Sequence, residues 1–205
     1  MSPAVEHDQR ASARGVLLLL ALSALSLWAA PQLMPRDYSP LMHTTSESAA
    51  QGLQGAWLPR LGFLAFGWAV IWLVALKGRV VWARAVAWFH LCFGVLMTAA
   101  AAFSHRPWMG GAAFDPIEDA LHSFSATGMG FAFALGTVAR FLGREGGDRV
   151  GRALDGVAVV AAVLLPLLML RQPLMAGLLQ RSMFLIAYAW YGYEAHLVRR
   201  LSSTQ

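Results

Sequence analysis

The stretch FDPIEDALHSFSATGMGFAFALG, residues 114–136, decides how the chain is read. Its first nine residues carry Asp115, Glu118, Asp119 and His122, and no charged residue follows until Arg140. A polar start leading into a long apolar run is the edge of a membrane helix, because a span takes about 20 mainly apolar residues. The start also has its own grammar. Asp115 is placed as an N-cap, Pro116 at the first helical position and Glu118 at the third, which is a capping box with Asp in place of Ser or Thr.

Working outward, the rest of the chain is of the same kind. Of 205 residues, 58% are hydrophobic and 13% charged, and the mean hydropathy is +0.53. The charged fraction is about half that of a soluble domain. Apolar runs mark six spans, at about 15–34, 58–76, 85–103, 119–142, 153–170 and 182–198. The fold class is therefore all-α, a polytopic membrane bundle of six transmembrane helices forming one domain over 1–205, with 1–14 as a tail. The first run, GVLLLLALSALSLWAA, also has the form of a secretory signal peptide. Five further spans follow it directly, so a retained first helix is the favoured reading, with cleavage left open.

Orientation follows from Lys and Arg, whose excess stays on the cytoplasmic side. With the N-terminus inside, eleven of the sixteen fall on inner segments, among them Arg10, Lys77, Arg79, Arg140, Arg144, Arg199 and Arg200. Both termini are then cytoplasmic, and a bacterial inner membrane is the expected location. The net charge of +5 is spread over several short loops, which speaks for topology and contact with membrane lipid and against nucleic-acid binding. Cys92 is the single cysteine, so no internal disulfide or cysteine-based zinc site exists. The oligomeric state is not legible.

Ionisable residues at the bilayer edge are costly and by default mark a site. The outer edge collects them. The first outer loop brings His43, Ser46, Glu47 and Gln51, and the second brings His105, Arg106, Asp115, Glu118, Asp119 and His122. TTSE at 44–47 reads as a second capping box, Thr44 with Glu47. Asp119 and His122 lie three apart on one helical face that Ser125 continues. Two readings stay open. One is structural, a neutral His122 bonded to Asp119 and Ser125. The other joins the loops, with residues 44–54 as a short helix that turns His43 and Glu47 the same way. His43, His105 and His122 would then ligate zinc or another divalent metal, which needs three protein ligands and an open position. Asp119, His122, Ser46 and Glu47 are the catalytic candidates for such a hydrolase, and Arg106, Ser125 and Gln51 the candidates for holding a lipid or amphipathic substrate. A non-catalytic pocket that binds, senses or moves a lipid uses the same residues. Trp190, Tyr191 and Tyr193 read as an interfacial aromatic belt near the end of the last span.

The six spans, the first outer loop YSPLMHTTSESAAQG…W and the outer loop running into ALHSFSATGMGFAF resemble the bacterial membrane family known as domain of unknown function 998 (DUF998). That resemblance implies a Ser-Glu pair after the first span and an aspartate-bearing loop before a histidine, here Ser46, Glu47, Asp115 and His122. A fainter likeness is to alkaline-ceramidase-like membrane hydrolases, which implies Ser, Asp and His around zinc. The paired histidines of that family's last span have no counterpart here, where the last span holds only His196.

Overall fold

The computed structural model describes residues 3–78 and 81–201; the side chains of 3–10 and 199–201 are outside the description. Arg79 and the side chains of Arg10, Arg199 and Arg200, used in the charge count above, therefore lie outside the described residues. Among the described residues the chain is helical with no strand: α1 (Pro3–Ala29), the short α2 (Thr45–Ser48), α3 (Trp57–Lys77), α4 (Arg84–Ala102), α5 (Pro116–Gly143), α6 (Arg149–Arg171) and α7 (Ala176–Leu201). Single 3-10 turns extend α1 at Ala30–Leu33 and precede α7 at Pro173–Met175.

Five stretches are long and apolar enough to cross a membrane: Ala11–Leu33, Trp57–Lys77, Arg84–Ala102, Pro116–Gly143 and Arg149–Arg171. The chain is a multi-pass membrane protein. The longest departures from the expected bounds are at α1, helical from Pro3 through most of the expected tail, and at α7, which starts at Ala176. α7 is long enough to span but is not among the five, because Gln180, Arg181, Ser182 and Glu194 dilute its apolar character.

The six long helices form a ring in chain order. α1 packs on α3, α3 on α4, α4 on α5, α5 on α6 and α6 on α7, and α7 closes back on α1. Large side chains fill the interior. Phe66, Phe93, Phe133, Trp190 and Tyr191 are all buried there, with Phe66 stacked on Tyr188 at 4.6 Å between centroids and Phe93 tilted against Tyr191 at 5.3 Å. The expected aromatic belt is thus a correction: Trp190 and Tyr191 are 1% and 0% exposed. They lie near the middle of a helix that runs on to Leu201, not near its end. The outer surface is apolar, with Trp28, Trp68, Trp88, Phe124 and Phe131 among the exposed large side chains. That is the surface a bilayer covers.

Helices approach closely where glycine permits. A Cβ on Gly67 of α3 would stand 2.7 Å from the Gly94 carbonyl of α4, and one on Gly94 would stand 3.0 Å from the Gly67 carbonyl. The ring has two ends. One carries residues 30–56, 103–115 and 172–175 and is called the loop face; the other carries residues 78, 81–83 and 144–148 and is called the terminal face.

Candidate functional site

The loop face is assembled from caps first. The Thr44 side chain accepts from the Glu47 N–H at 3.1 Å, and the Glu47 Oε2 accepts from the Thr44 N–H at 2.6 Å, a complete capping box. The helix it starts is only Thr45–Ser48, so the expected helix over 44–54 is corrected to one turn. Asp115 caps α5 by accepting from Ile117 N–H at 2.8 Å. Glu118 does not reach back to it. Its Oε1 accepts from the Ser104 N–H at 2.8 Å, and the Asp115 N–H donates to Gln51 Oε1 at 2.7 Å. Gln51 also donates through Nε2 to the carbonyls of Ser104 and Asp115, both at 3.0 Å. One glutamine thus ties the first loop to both ends of the second.

Asp119 and His122 do not bond one another, contrary to the expected pair. The His105 Nδ1 donates to Asp119 Oδ1 at 2.6 Å, and the Arg106 N–H donates to the same oxygen at 2.8 Å. His122 turns inward. It is buried, and its Nδ1 donates to the Phe103 carbonyl at 2.9 Å, with the Ala100 carbonyl 3.2 Å away. Ser125 donates to the Leu121 carbonyl of its own helix at 2.8 Å, not to His122. The rings of His105 and His122 lie 5.4 Å apart and nearly parallel. The α4–α5 turn leaves main-chain groups unpaired that the first turns of α5 meet: Glu118 and Asp119 accept from the Ser104 and Arg106 N–H groups, and His122 donates to the Phe103 carbonyl.

His43 is held elsewhere. Its Nδ1 accepts from the Ser39 N–H at 2.9 Å, and its ring stacks on Trp108 at 4.9 Å. Arg181 fixes the loop beneath it, donating to the carbonyls of Pro40 at 2.7 Å and His43 at 2.8 Å and to the Tyr38 hydroxyl at 2.7 Å. Burial pushes the Tyr38 hydroxyl pKa above its ordinary value, against the pull of the Arg181 charge. Arg181→Ala should free residues 38–43, destabilising by about 1–3 kcal/mol as hydrogen bonds to a charged donor are lost. The check is hydrogen exchange at those amides, which should speed up while α3 and α4 stay protected.

The three histidines expected as metal ligands are thus not brought to one point. His43 faces Trp108, His105 is bound to Asp119, and the His122 Nδ1 is committed to main-chain carbonyls. Among the described residues no group of three His, Cys, Asp or Glu side chains could hold a metal ion. The ligand set read from the sequence does not fit this geometry. The loops do enclose an open recess of about 380 Å³ whose walls include Glu47, His105, Arg106 and Trp108. Ser46 sits half-buried on the one-turn helix beside Glu47.

The family model described as "Protein of unknown function (DUF998)" matches residues 18–195. The chain belongs to the DUF998 family. No curated protein and no solved structure matches it. The DUF998 match takes in the whole loop face, Ser46, Glu47, Asp115 and His122 included, and most of the terminal face.

At that terminal face the DUF998 chain holds a second polar cluster, which sequence reasoning assigned to loop charge alone. Glu194 of α7 is fully buried and bonds Lys77 of α3, the Trp82 Nε1 at 3.1 Å, Arg140 at 3.2 Å and Arg144 at 2.5 Å. Arg144 also clamps Asp155 of α6, through Nε at 2.5 Å and Nη2 at 2.8 Å, and Asp148 through Nη1 at 2.5 Å. Trp190 donates to Asp155 at 2.7 Å and Tyr193 to Asp148 at 2.5 Å. Burial alone would raise the Asp148 carboxyl. Hydrogen bonds from Tyr193, Gly151 and Arg144 more than offset that, and its pKa lies below the ordinary value. The signal that could have found this cluster was present: Asp155 and Glu194 are acids inside apolar helices, where a charge needs a partner.

Proposed function

We propose that this chain is a six-span protein of a bacterial inner membrane, with both termini in the cytoplasm, whose loop face binds the head of a phosphate-bearing amphipath at the outer leaflet. The observation that carries the reading is the recess beside α4 and α5. Arg106 is exposed on its wall, and its guanidinium makes none of the hydrogen bonds that commit its neighbours. A free guanidinium fork matches phosphate oxygens in a bidentate way. His105 lines the same wall, its ring held through Nδ1 by Asp119. Trp108 supplies an aromatic wall, and Phe114 and Ile117, exposed at the same level, supply apolar margin where acyl chains would lie. α7 as the sixth span is supported by its 26 residues and its place in the ring, and the cytoplasmic termini by the distribution of Lys and Arg.

The role is binding or sensing rather than catalysis. Most candidate catalytic side chains are engaged in holding loops to helices: Glu47 in its cap, Asp119 on His105 and Arg106, His122 on Phe103. The test is lipid retention on detergent-purified protein, measured by native mass spectrometry against a phospholipid and an uncharged diacylglycerol. The wild type should retain the phospholipid preferentially, and Arg106→Ala should hold it about tenfold more weakly, the loss of roughly one charge-assisted contact. Equal retention of both lipids by the wild type, or no change in Arg106→Ala, would sink the reading.

A further inference from the structure

The recess is not uniformly basic, and that narrows its ligand. We infer that it selects a zwitterionic lipid head carrying a phosphate and an ammonium group, as in an aminophospholipid, over a purely anionic one. This rests on the recess being a lipid-head site, as proposed above, and adds the class of head.

Arg106, whose guanidinium fork matches phosphate oxygens, forms the phosphate side. Glu47 lines the same recess. Its Oε2 takes both Thr44 hydrogen bonds, from the N–H at 2.6 Å and the hydroxyl at 2.9 Å, leaving Oε1 for a ligand. The ring of Trp108 lines the same recess. That ring is fixed by three contacts: stacking on His43 at 4.9 Å, an edge contact with Tyr38 at 5.2 Å, and donation from Nε1 to Asp37 at 3.3 Å. A preorganised indole that shares a recess with a carboxylate is what recognises an ammonium ion, through the ring face and a charge-assisted hydrogen bond. A head bearing only negative charge would satisfy Arg106 and be repelled by Glu47, so the carboxylate discriminates against it. The ligand is a membrane lipid and not a free metabolite because the recess lies level with the end of α4 and the start of α5, at an apolar margin carrying exposed Phe114 and Ile117.

The experiment offers detergent-solubilised full-length protein equimolar phosphatidylethanolamine and phosphatidylglycerol and reads the bound ratio by native mass spectrometry. The wild type should favour phosphatidylethanolamine by about tenfold, from one cation–π contact and one carboxylate bond. Glu47→Gln keeps an acceptor for the Thr44 cap but loses the charge, and its ratio should fall to within about threefold of unity. Trp108→Leu should lower the ratio in the same direction, which keeps the test valid if Glu47→Gln fails to fold. A wild-type preference for phosphatidylglycerol, or ratios unchanged in both variants, overturns the zwitterion assignment while leaving a phosphate site at Arg106 standing. Retention insensitive to Arg106→Ala overturns the recess itself. Complete displacement of bound lipid by soluble phosphoethanolamine would overturn the assignment to a lipid.

Discussion

Glu194→Ala should unfold the terminal face, or prevent the protein from accumulating at all. Glu194 is the meeting point of three cations, Lys77, Arg140 and Arg144, and all of its oxygens are out of contact with water. Across the cluster, those three cations stand against Glu194, Asp155 and Asp148. Removing one carboxylate leaves a buried positive excess that neither hydrocarbon nor the packed aromatics can solvate. Breaking a buried pair on one side costs about 3–5 kcal/mol, a large share of the roughly 5–15 kcal/mol that holds a typical domain folded. The measurement is thermal unfolding and size-exclusion behaviour of the purified variant beside the wild type. A second variant separates charge from shape: adding Lys77→Met to Glu194→Ala removes one of the stranded cations and should recover part of the loss. If the single variant melts with the wild type, water reaches this end of the bundle and the cations are solvated there. If the double variant is worse than the single, lost packing and not stranded charge explains the effect.

That cluster also marks where the sequence stopped being legible. Apolar runs located five spans to within a few residues at most ends, since hydrocarbon length and backbone hydrogen bonding leave a spanning chain little choice. The caps at Thr44 and Asp115 were legible for the same local reason, because donor and acceptor lie within three residues of each other. Pairings across a turn or between helices were not. Helical spacing put Asp119 and His122 on one face, yet Asp119 bonds His105 and Arg106, and His122 bonds Phe103. What a face meets depends on the loop opposite it, and periodicity says nothing of that. His43 was grouped with the other histidines by residue type, while the structure gives it to Ser39 and Trp108. Arg140 and Arg144 were counted as loop charges that set topology. A long side chain at a helix end can turn back into the bundle, and both turn back to Glu194, fifty or more residues away.

The ring itself should fail at one point before others. Gly67 and Gly94 face each other where α3 crosses α4, and the three atoms nearest a new Cβ on either side include a main-chain carbonyl oxygen, at 2.7 and 3.0 Å, which cannot rotate away. Within a bilayer, helix association relies on close van der Waals packing of such small residues, because lipid is as apolar as leucine. Gly67→Ala should therefore cost about 1–3 kcal/mol, and Gly67→Val more, since its branched side chain must push the helices apart. Separation would spread. α3 and α4 carry Phe66 and Phe93, which reach the same interior as Tyr191 of α7, and Lys77 at the end of α3 bonds Glu194. The control is Gly130→Ala on α5, where no atom lies within 4 Å of the added Cβ. That change should leave stability unchanged or raise it by up to about 1 kcal/mol, as alanine replaces glycine within a helix. Melting temperatures of the three variants decide the matter. Gly67→Val and Gly130→Ala behaving alike would mean that α3 and α4 are free to separate, and that the ring is held by its polar ends and not by this crossing.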